Sequence, residues 1–171
     1  MAKKGSSVAR QRQPEEQEIV ITRLFDAPRD LVFKAWTEPE RVKRWWGPKG
    51  FTCPVCKIDL RPGGVIFSCM RSPDGKDYWS RGVFKEIVKP ERIVCTDTFA
   101  DEKGNTVSPT QYGMSPDWPE EAIITVTLDE HGGKTSFILQ HGPIKPGKER
   151  DMCHQGWSET LDKLEDYLAK G

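Results

Sequence analysis

Three groups of side chains in this sequence are of types that do chemistry. The first is a cysteine pair, Cys53 and Cys56 in FTCPVCKIDL (51–60), spaced like the first half of a zinc knuckle. A structural zinc ion takes two such pairs, with Zn–S distances of about 2.3 Å. Here no second pair follows: Cys69, Cys95 and Cys153 stand singly, and Cys153-His154 is the only other adjacent couple. If 52–60 is a strand, Cys53 and Cys56 point to opposite faces, with Cα atoms about 10 Å apart after three steps of about 3.3 Å. A disulfide needs Cα atoms within about 7 Å. Pro54 argues for an edge position or a bulge, which would bring the two closer. Five cysteines, an odd number at irregular spacing, are expected as free thiols in a reducing compartment. Neither a metal nor any other cofactor is expected.

The second group is His131, His141 and His154. His131 falls in the turn DEHGGK and is expected in solvent. His141 shares the strand phase of Phe137 and Leu139, so it points inward, and His154 lies one residue off the apolar stripe of the last segment. Two inward imidazoles can anchor a ligand or exchange a proton, since histidine titrates near neutrality. The alternative is a histidine bonded to a backbone carbonyl within a core. The third group is Arg23 alone, in phase with Ile19, Ile21 and Phe25 on an apolar strand face. A buried guanidinium must be paired; Glu38 and Glu40 are the partners the sequence offers, in a bridge from strand to helix, and a ligand carboxylate and an exposed strand end are the alternatives. There is no Gly-x-Ser-x-Gly elbow, phosphate-binding glycine loop or His-Glu-x-x-His. No catalytic residue is therefore assigned, and binding is favoured over catalysis.

The elements that must position these groups follow from periodicity. EIVITRLFDAP (18–28) alternates and ends in a turn signal, as a strand does. The next stretch gives two short helices broken at Pro39, with Pro28 in a first turn and Thr37 or Glu38 capping the second helix. Strands are predicted at 52–60, 64–71, 78–88, 92–100, 121–129 and 134–141, joined by the turn sequences RPGG, SPDGK, VKPER and DEHGGK. Between the fourth and fifth of these lie twenty Gly-, Pro- and Ser-rich residues carrying Tyr112, Met114 and Trp118. A loop that long is either a lid or a surface excursion pinned by its aromatics. From about 148 to 170, Cys153, Trp157, Leu161, Leu164 and Leu168 form one helical apolar stripe. Gly156 inside it costs about 1 kcal/mol against Ala, tolerable where something packs closely. One antiparallel sheet gripping one amphipathic helix buries both, an α+β arrangement.

Composition narrows the class further. Lys plus Arg equals Asp plus Glu at 26 each, so no global field draws the chain to nucleic acid or membrane. No run approaches the roughly 20 apolar residues of a membrane span, and the basic N-terminus has no apolar segment behind it, so no secretory signal is read. Residues 1–17 are too polar to order themselves and are expected as a disordered tail. Residues 18–171 are expected as a single domain, in a cytoplasmic protein that is a monomer or homodimer.

The segments ITRLFDAPRDLVFKAWTEPERVKRWWGP, IDLRPGG, SPDGK, GVFKEIVKPERIV and GWSETLDKLEDYL occur in this order. Together they resemble the activator-of-heat-shock-protein-90-ATPase-homologue-like family, within the START-like and birch-allergen-like superfamily. The resemblance implies a helix-grip fold, a curved antiparallel sheet around the C-terminal helix with a cavity between them. It also implies a small hydrophobic or lipid-like ligand in that cavity, with a heat-shock-90-type chaperone as the alternative partner. The chaperone cofactor that names the family carries a second, N-terminal domain, for which a 17-residue tail leaves no room. A third alternative is an enzyme using the cavity for proton transfer through His141 and His154. Trp45 and Trp157 are expected as core or cavity floor, and Trp46 and Trp118 at the mouth. Met70, Tyr112, Met114, Phe137 and Leu161 complete the expected ligand-contacting set with Arg23, His141 and His154.

Overall fold

The computed structural model describes residues 17–170. Apart from Gln17, the expected tail lies outside the described residues. Strand β1 (Ile19–Phe25) leads into helices α1 (Arg29–Thr37) and α2 (Pro39–Val42). Strands β2 (Thr52–Ile58), β3 (Val65–Arg71), β4 (Asp77–Val88) and β5 (Arg92–Ala100) follow. A 3₁₀ turn (Pro109–Tyr112), β6 (Ala122–His131), β7 (Lys134–Gly142) and helix α3 (Lys148–Ala169) complete the chain. The seven strands form one antiparallel sheet in the order β1-β7-β6-β5-β4-β3-β2. Curled into a half-barrel around α3, it is the expected α+β helix-grip fold.

The period-two pattern decides which face is inside. Along β6, Ala122, Ile124, Val126 and Leu128 are buried, and along β7 so are Thr135, Phe137, Leu139 and His141. The β6–β7 hairpin is closed by Gly132 and Gly133, whose φ angles of +60° and +82° suit the twist of a two-residue turn and are strained for other residues. On α3, Trp157, Leu161, Leu164 and Leu168 face inward. Leu161 and Leu164 are fully buried, and each such leucine contributes about 1.5–3 kcal/mol. They meet Phe25, Trp36 and Phe137 in the main core, where Phe25 and Phe137 pack edge to face at 5.2 Å. Trp45 is fully buried beside them and donates its indole N–H to the Ala35 carbonyl at 3.1 Å.

Three local expectations are corrected, and a fourth, the cap of the second helix, is narrowed to Glu38. Arg23 does bridge strand and helix, but to α3: its guanidinium donates to Asp162 at 2.7 Å and to the Ser158 carbonyl at 3.2 Å. Glu38 is taken by Arg41 and Glu40 by Lys43 within the short-helix pair. Cys53 and Cys56 do not face opposite ways. A register shift between Thr52 and Val55, around Pro54, turns both into one small buried cluster with Val42. All five thiols are free. Pro28 is the N-cap of α1, its carbonyl accepting from the Leu31 and Val32 amides. Glu38 occupies the N-cap of α2 without a side-chain cap, and the Thr37 hydroxyl instead donates to the Phe33 carbonyl.

Candidate functional site

Where the first turns of α3 cross the sheet, the core gives way to a cavity of about 250 Å³, open to solvent on one side. The sheet side is built from Ser80 on β4, Asp97 and Phe99 on β5, Ala122 and Ile124 on β6, and His141 on β7. The helix side is Cys153, Gly156, Trp157 and Thr160, with Met152 at the rim, 64% exposed. Trp46, Gly47 and Pro48 close one flank, and Trp118 and Pro119 of the loop before β6 close another. A smaller recess of about 50 Å³ shares Trp46, Ser80, Asp97 and Ile124 with the cavity and runs inward to Cys95.

Small residues face one another here. Ser80, Ala122 and Gly156 leave the volume that larger side chains would fill. The walls are otherwise apolar and aromatic, as small-molecule pockets are, with a few polar groups converging. The buried indole N–H groups of Trp36 and Trp46 have no hydrogen-bond partner. Trp46 instead meets the rings of Trp36 and Trp157 edge-on, at 86° and 85°, the arrangement favoured between aromatic quadrupoles.

One polar corner stands in this lining. His141 is buried, its Nε2 lies 3.0 Å from an Asp97 oxygen, and the Trp157 indole N–H donates to Nδ1 at 3.0 Å. Register explains the first contact. His141 pairs with Ile124 across β6–β7, and Asp97 pairs with Ala122 across β5–β6. The imidazole and carboxylate thus meet diagonally over a small residue of the intervening strand. Two influences oppose each other at the imidazole. Burial disfavours the charged ring, while hydrogen bonds to Asp97 and Cys153 favour it and pull the imidazole upward. The indole works the other way: it can only donate, so Nδ1 facing it must accept. The geometry is that of the neutral ring with its proton on Nε2, donated to Asp97.

Two cross-links hold the cavity walls in place. Lys163 on α3 donates to the Gly47 and Phe51 carbonyls at 2.9 and 3.0 Å, with the Trp46 and Pro48 carbonyls at 3.5 and 3.4 Å. Burial pulls its ammonium below the usual lysine value. On the other flank, the Ser115 amide and hydroxyl donate to the Glu149 carboxylate at 2.9 and 2.5 Å. These bonds hold that carboxyl below its usual range.

Of the residues singled out in the sequence, Trp46, Met70, Trp118, His141 and Trp157 line the cavity. The others stand outside the lining, each for a definite reason. Arg23 is committed to Asp162. Phe137 and Leu161 are fully buried in the core below. Tyr112 pins the long loop, its hydroxyl donating to the Ala100 carbonyl at 2.5 Å and its ring stacking on Phe99 at 5.1 Å. Met114 sits half-buried in the same loop, and His154 faces solvent, so the two inward imidazoles expected from the sequence do not come together. The loop is therefore pinned by one aromatic and contributes another to the wall.

Asp97 and Cys153 carry the polar corner but were not picked out as site residues. Asp97 left a signal, a carboxylate in strand phase with Ile93 and Cys95, the same kind of oddity as Arg23. In the sequence Cys153 stands as a single thiol on the helix stripe, with no sign of His141 beside it. Among the described residues no group of three or more His, Cys, Asp or Glu side chains is placed to hold a metal ion, and no helix is long and apolar enough to cross a membrane.

Residues 26–169 match the model of a family described as activator of Hsp90 ATPase homolog 1-like protein. Among solved structures, a protein from Staphylococcus epidermidis is 26% identical, with a TM-score of 0.73 and 91% of each chain covered. A protein from Nitrosomonas europaea is 25% identical, with a TM-score of 0.73 over 91% of this chain and 96% of that one. An activator-of-Hsp90-ATPase-homologue protein from Silicibacter pomeroyi shares the fold at 21% identity, with a TM-score of 0.71 over 89% and 97%. No curated protein matches the chain at a significant level.

Proposed function

The chain belongs to the activator of Hsp90 ATPase homolog 1-like family, and on that premise we propose that it binds a small apolar or amphipathic molecule between the sheet and helix α3. The observation that carries this reading is the open cavity, apolar in most of its wall, with the Asp97–His141 couple as a buried polar corner. Apolar walls supply affinity at about 25 cal/mol per Å² buried. A bound molecule burying about 250 Å² would gain about 6 kcal/mol gross, before the cost of association. The polar corner orients the ligand. Asp97 keeps a free lone-pair side and 34% side-chain exposure, so it accepts from a hydroxyl or amine at one end of an otherwise apolar molecule.

Trp46, Trp118 and Trp157 line the space and report directly on occupancy. Titration with 2-naphthol, an apolar bicycle with one hydroxyl, is expected to quench tryptophan emission saturably, with Kd below about 1 mM. Native mass spectrometry is expected to show one bound molecule. Absence of saturation together with absence of a bound mass overturns the proposal.

A second reading rests on the family name, which points to contact with an Hsp90-type chaperone. It predicts co-purification with the cognate chaperone and a change in that chaperone's ATPase rate. No complex and no rate change rule it out.

A further inference from the structure

We propose that Cys153 is a nucleophile, with His141 as its base and Asp97 positioning that base, and that the cavity captures small apolar molecules carrying an α,β-unsaturated carbonyl. This rests on the binding reading above, because the electrophile must first occupy the cavity.

The observation is a relay of three side chains along one wall. Cys153 lines the cavity, and its sulfur lies 3.9 Å from His141 Nδ1, at the outer limit of a sulfur hydrogen bond. The far nitrogen of the same ring is held by Asp97 at 3.0 Å. A nucleophile, a base in reach of it and a third group orienting the base is the general pattern of an activated side chain, and such contacts are often long before substrate binds. Trp157, donating to Nδ1, keeps the resting ring in the tautomer whose Nδ1 carries the lone pair. That is the form a base requires.

The other four cysteines have no such surroundings. Cys53, Cys56 and Cys69 do not line the cavity, and Cys95 reaches only the inner recess. Burial pushes these four up to about 11, 12, 11 and 12 respectively. A thiol raised in this way is scarce as thiolate, which is the reactive form.

Conjugate addition asks less of this site than acyl transfer, because it has no leaving group to protonate and needs only one proton, taken and returned by the same nitrogen. The Cys153 thiol proton passes to His141 Nδ1, and the sulfur forms a bond to the β-carbon. The C=C π pair moves toward the α-carbon as an enolate, and Nδ1 then delivers the proton to the α-carbon. One S–H and one C=C π bond are consumed; one S–C and one C–H bond are formed. No oxidant, reductant or leaving group takes part. Asp97 accepts from Nε2–H while the ring is charged, and Trp157 loses its acceptor for that interval, so the charged ring is transient.

The test uses 4-phenyl-3-buten-2-one and its saturated counterpart 4-phenyl-2-butanone, which binds but cannot react. Intact-mass spectrometry with peptide mapping is expected to show a single enone adduct, on Cys153, with loss of the enone absorbance. Cys153→Ser should give none. Asp97→Asn and His141→Gln should slow addition by at least about tenfold, the lower end of general-base effects being about 10². In both variants the saturated ketone should still quench tryptophan emission, so that the loss falls on the addition step and not on binding. Asp97→Asn keeps the question open to refutation should His141→Gln fail to fold. Adducts forming as fast on other cysteines, or rates unmoved in both variants, overturn the proposal. Tryptophan quenching by the saturated ketone separates the two readings. Quenching without an adduct refutes nucleophilic capture alone, and no quenching with no adduct refutes binding as well.

Discussion

Replacing Gly156 separates what helix α3 does for stability from what it does for the cavity. A glycine inside a helix costs about 0.8–1.0 kcal/mol relative to alanine, and Gly156 lies within the 22 residues of α3. A Cβ placed there meets one heavy atom within 4 Å, Pro48 Cγ at 3.4 Å, close to ordinary van der Waals contact. Gly156→Ala should therefore recover most of the propensity, about 0.5–1 kcal/mol. For a chain of this size that raises Tm by about 1–4 °C, at roughly 2–4 °C per kcal/mol. Its quenching by 2-naphthol should stay near that of the parent. Gly156→Leu places an isobutyl group beside Pro48, in the cavity wall, and should weaken 2-naphthol binding at least tenfold, about 1.4 kcal/mol, while the chain stays folded. Thermal unfolding and the fluorescence titration read both outcomes. If the alanine variant loses more than about 0.5 kcal/mol, the helix and the Pro48 loop are held more tightly than 3.4 Å implies. If the leucine variant binds as before, the cavity is not where the molecule sits.

Three further perturbations address the cavity's frame. Glu149 is held below its usual range by Ser115, so its contribution is present above the unfolded carboxyl value and is lost as pH falls through the lower folded one. Protection of the Ser115 amide, taken against its intrinsic exchange rate, should therefore fall below about pH 4.5 and in Glu149→Gln at neutral pH; unchanged protection in that variant refutes the latch. Lys163→Met removes an ammonium from four carbonyls and should cost about 2 kcal/mol in urea unfolding, with faster exchange across 46–51; an unmoved midpoint would show that the loop holds itself. The Arg23–Asp162 pair has one partner 64% exposed, so a double-mutant cycle to alanine should give a coupling of only about 0.2–1 kcal/mol. A value above about 2 kcal/mol would contradict the exposure.

What could be read from the sequence divides along a physical line. Period-two alternation from Ala122 to Leu128 and the 4-4-3-4 stripe of α3 are local patterns set by which face is buried, and they located strands and helix closely. Pairings across the fold are not local. Asp97 and His141 are 44 residues apart and meet because β6 lies between their strands. Ser115 and Glu149 meet because a long loop folds back on α3. Arg23 was legible as a charge needing a partner, but the carboxylates nearest in sequence, Glu38 and Glu40, are engaged by Arg41 and Lys43. At Cys53 and Cys56 the alternation rule failed because Pro54, lacking an N–H, sits in a bulge that adds a residue to the edge strand. A bulge shifts the phase by one and carries every later side chain to the other face.

The same helix stripe changes task halfway along, and its composition says where. Its second half is Leu161, Leu164 and Leu168, large side chains that join Phe25 and Phe137 in the core. Its first half is Cys153, Gly156, Trp157 and Thr160, of which only the indole is large. Opposite them the sheet also supplies small groups, Ser80 and Ala122. Small facing small cannot reach the close packing of an interior, and Lys163 and Glu149 hold the flanking loops rather than letting them collapse inward. The cavity is thus a deficit of side-chain volume kept open by two cross-links. Filling it from Gly156 should stabilise the fold at the expense of binding, the trade expected where a site is maintained against the packing preference of its own core.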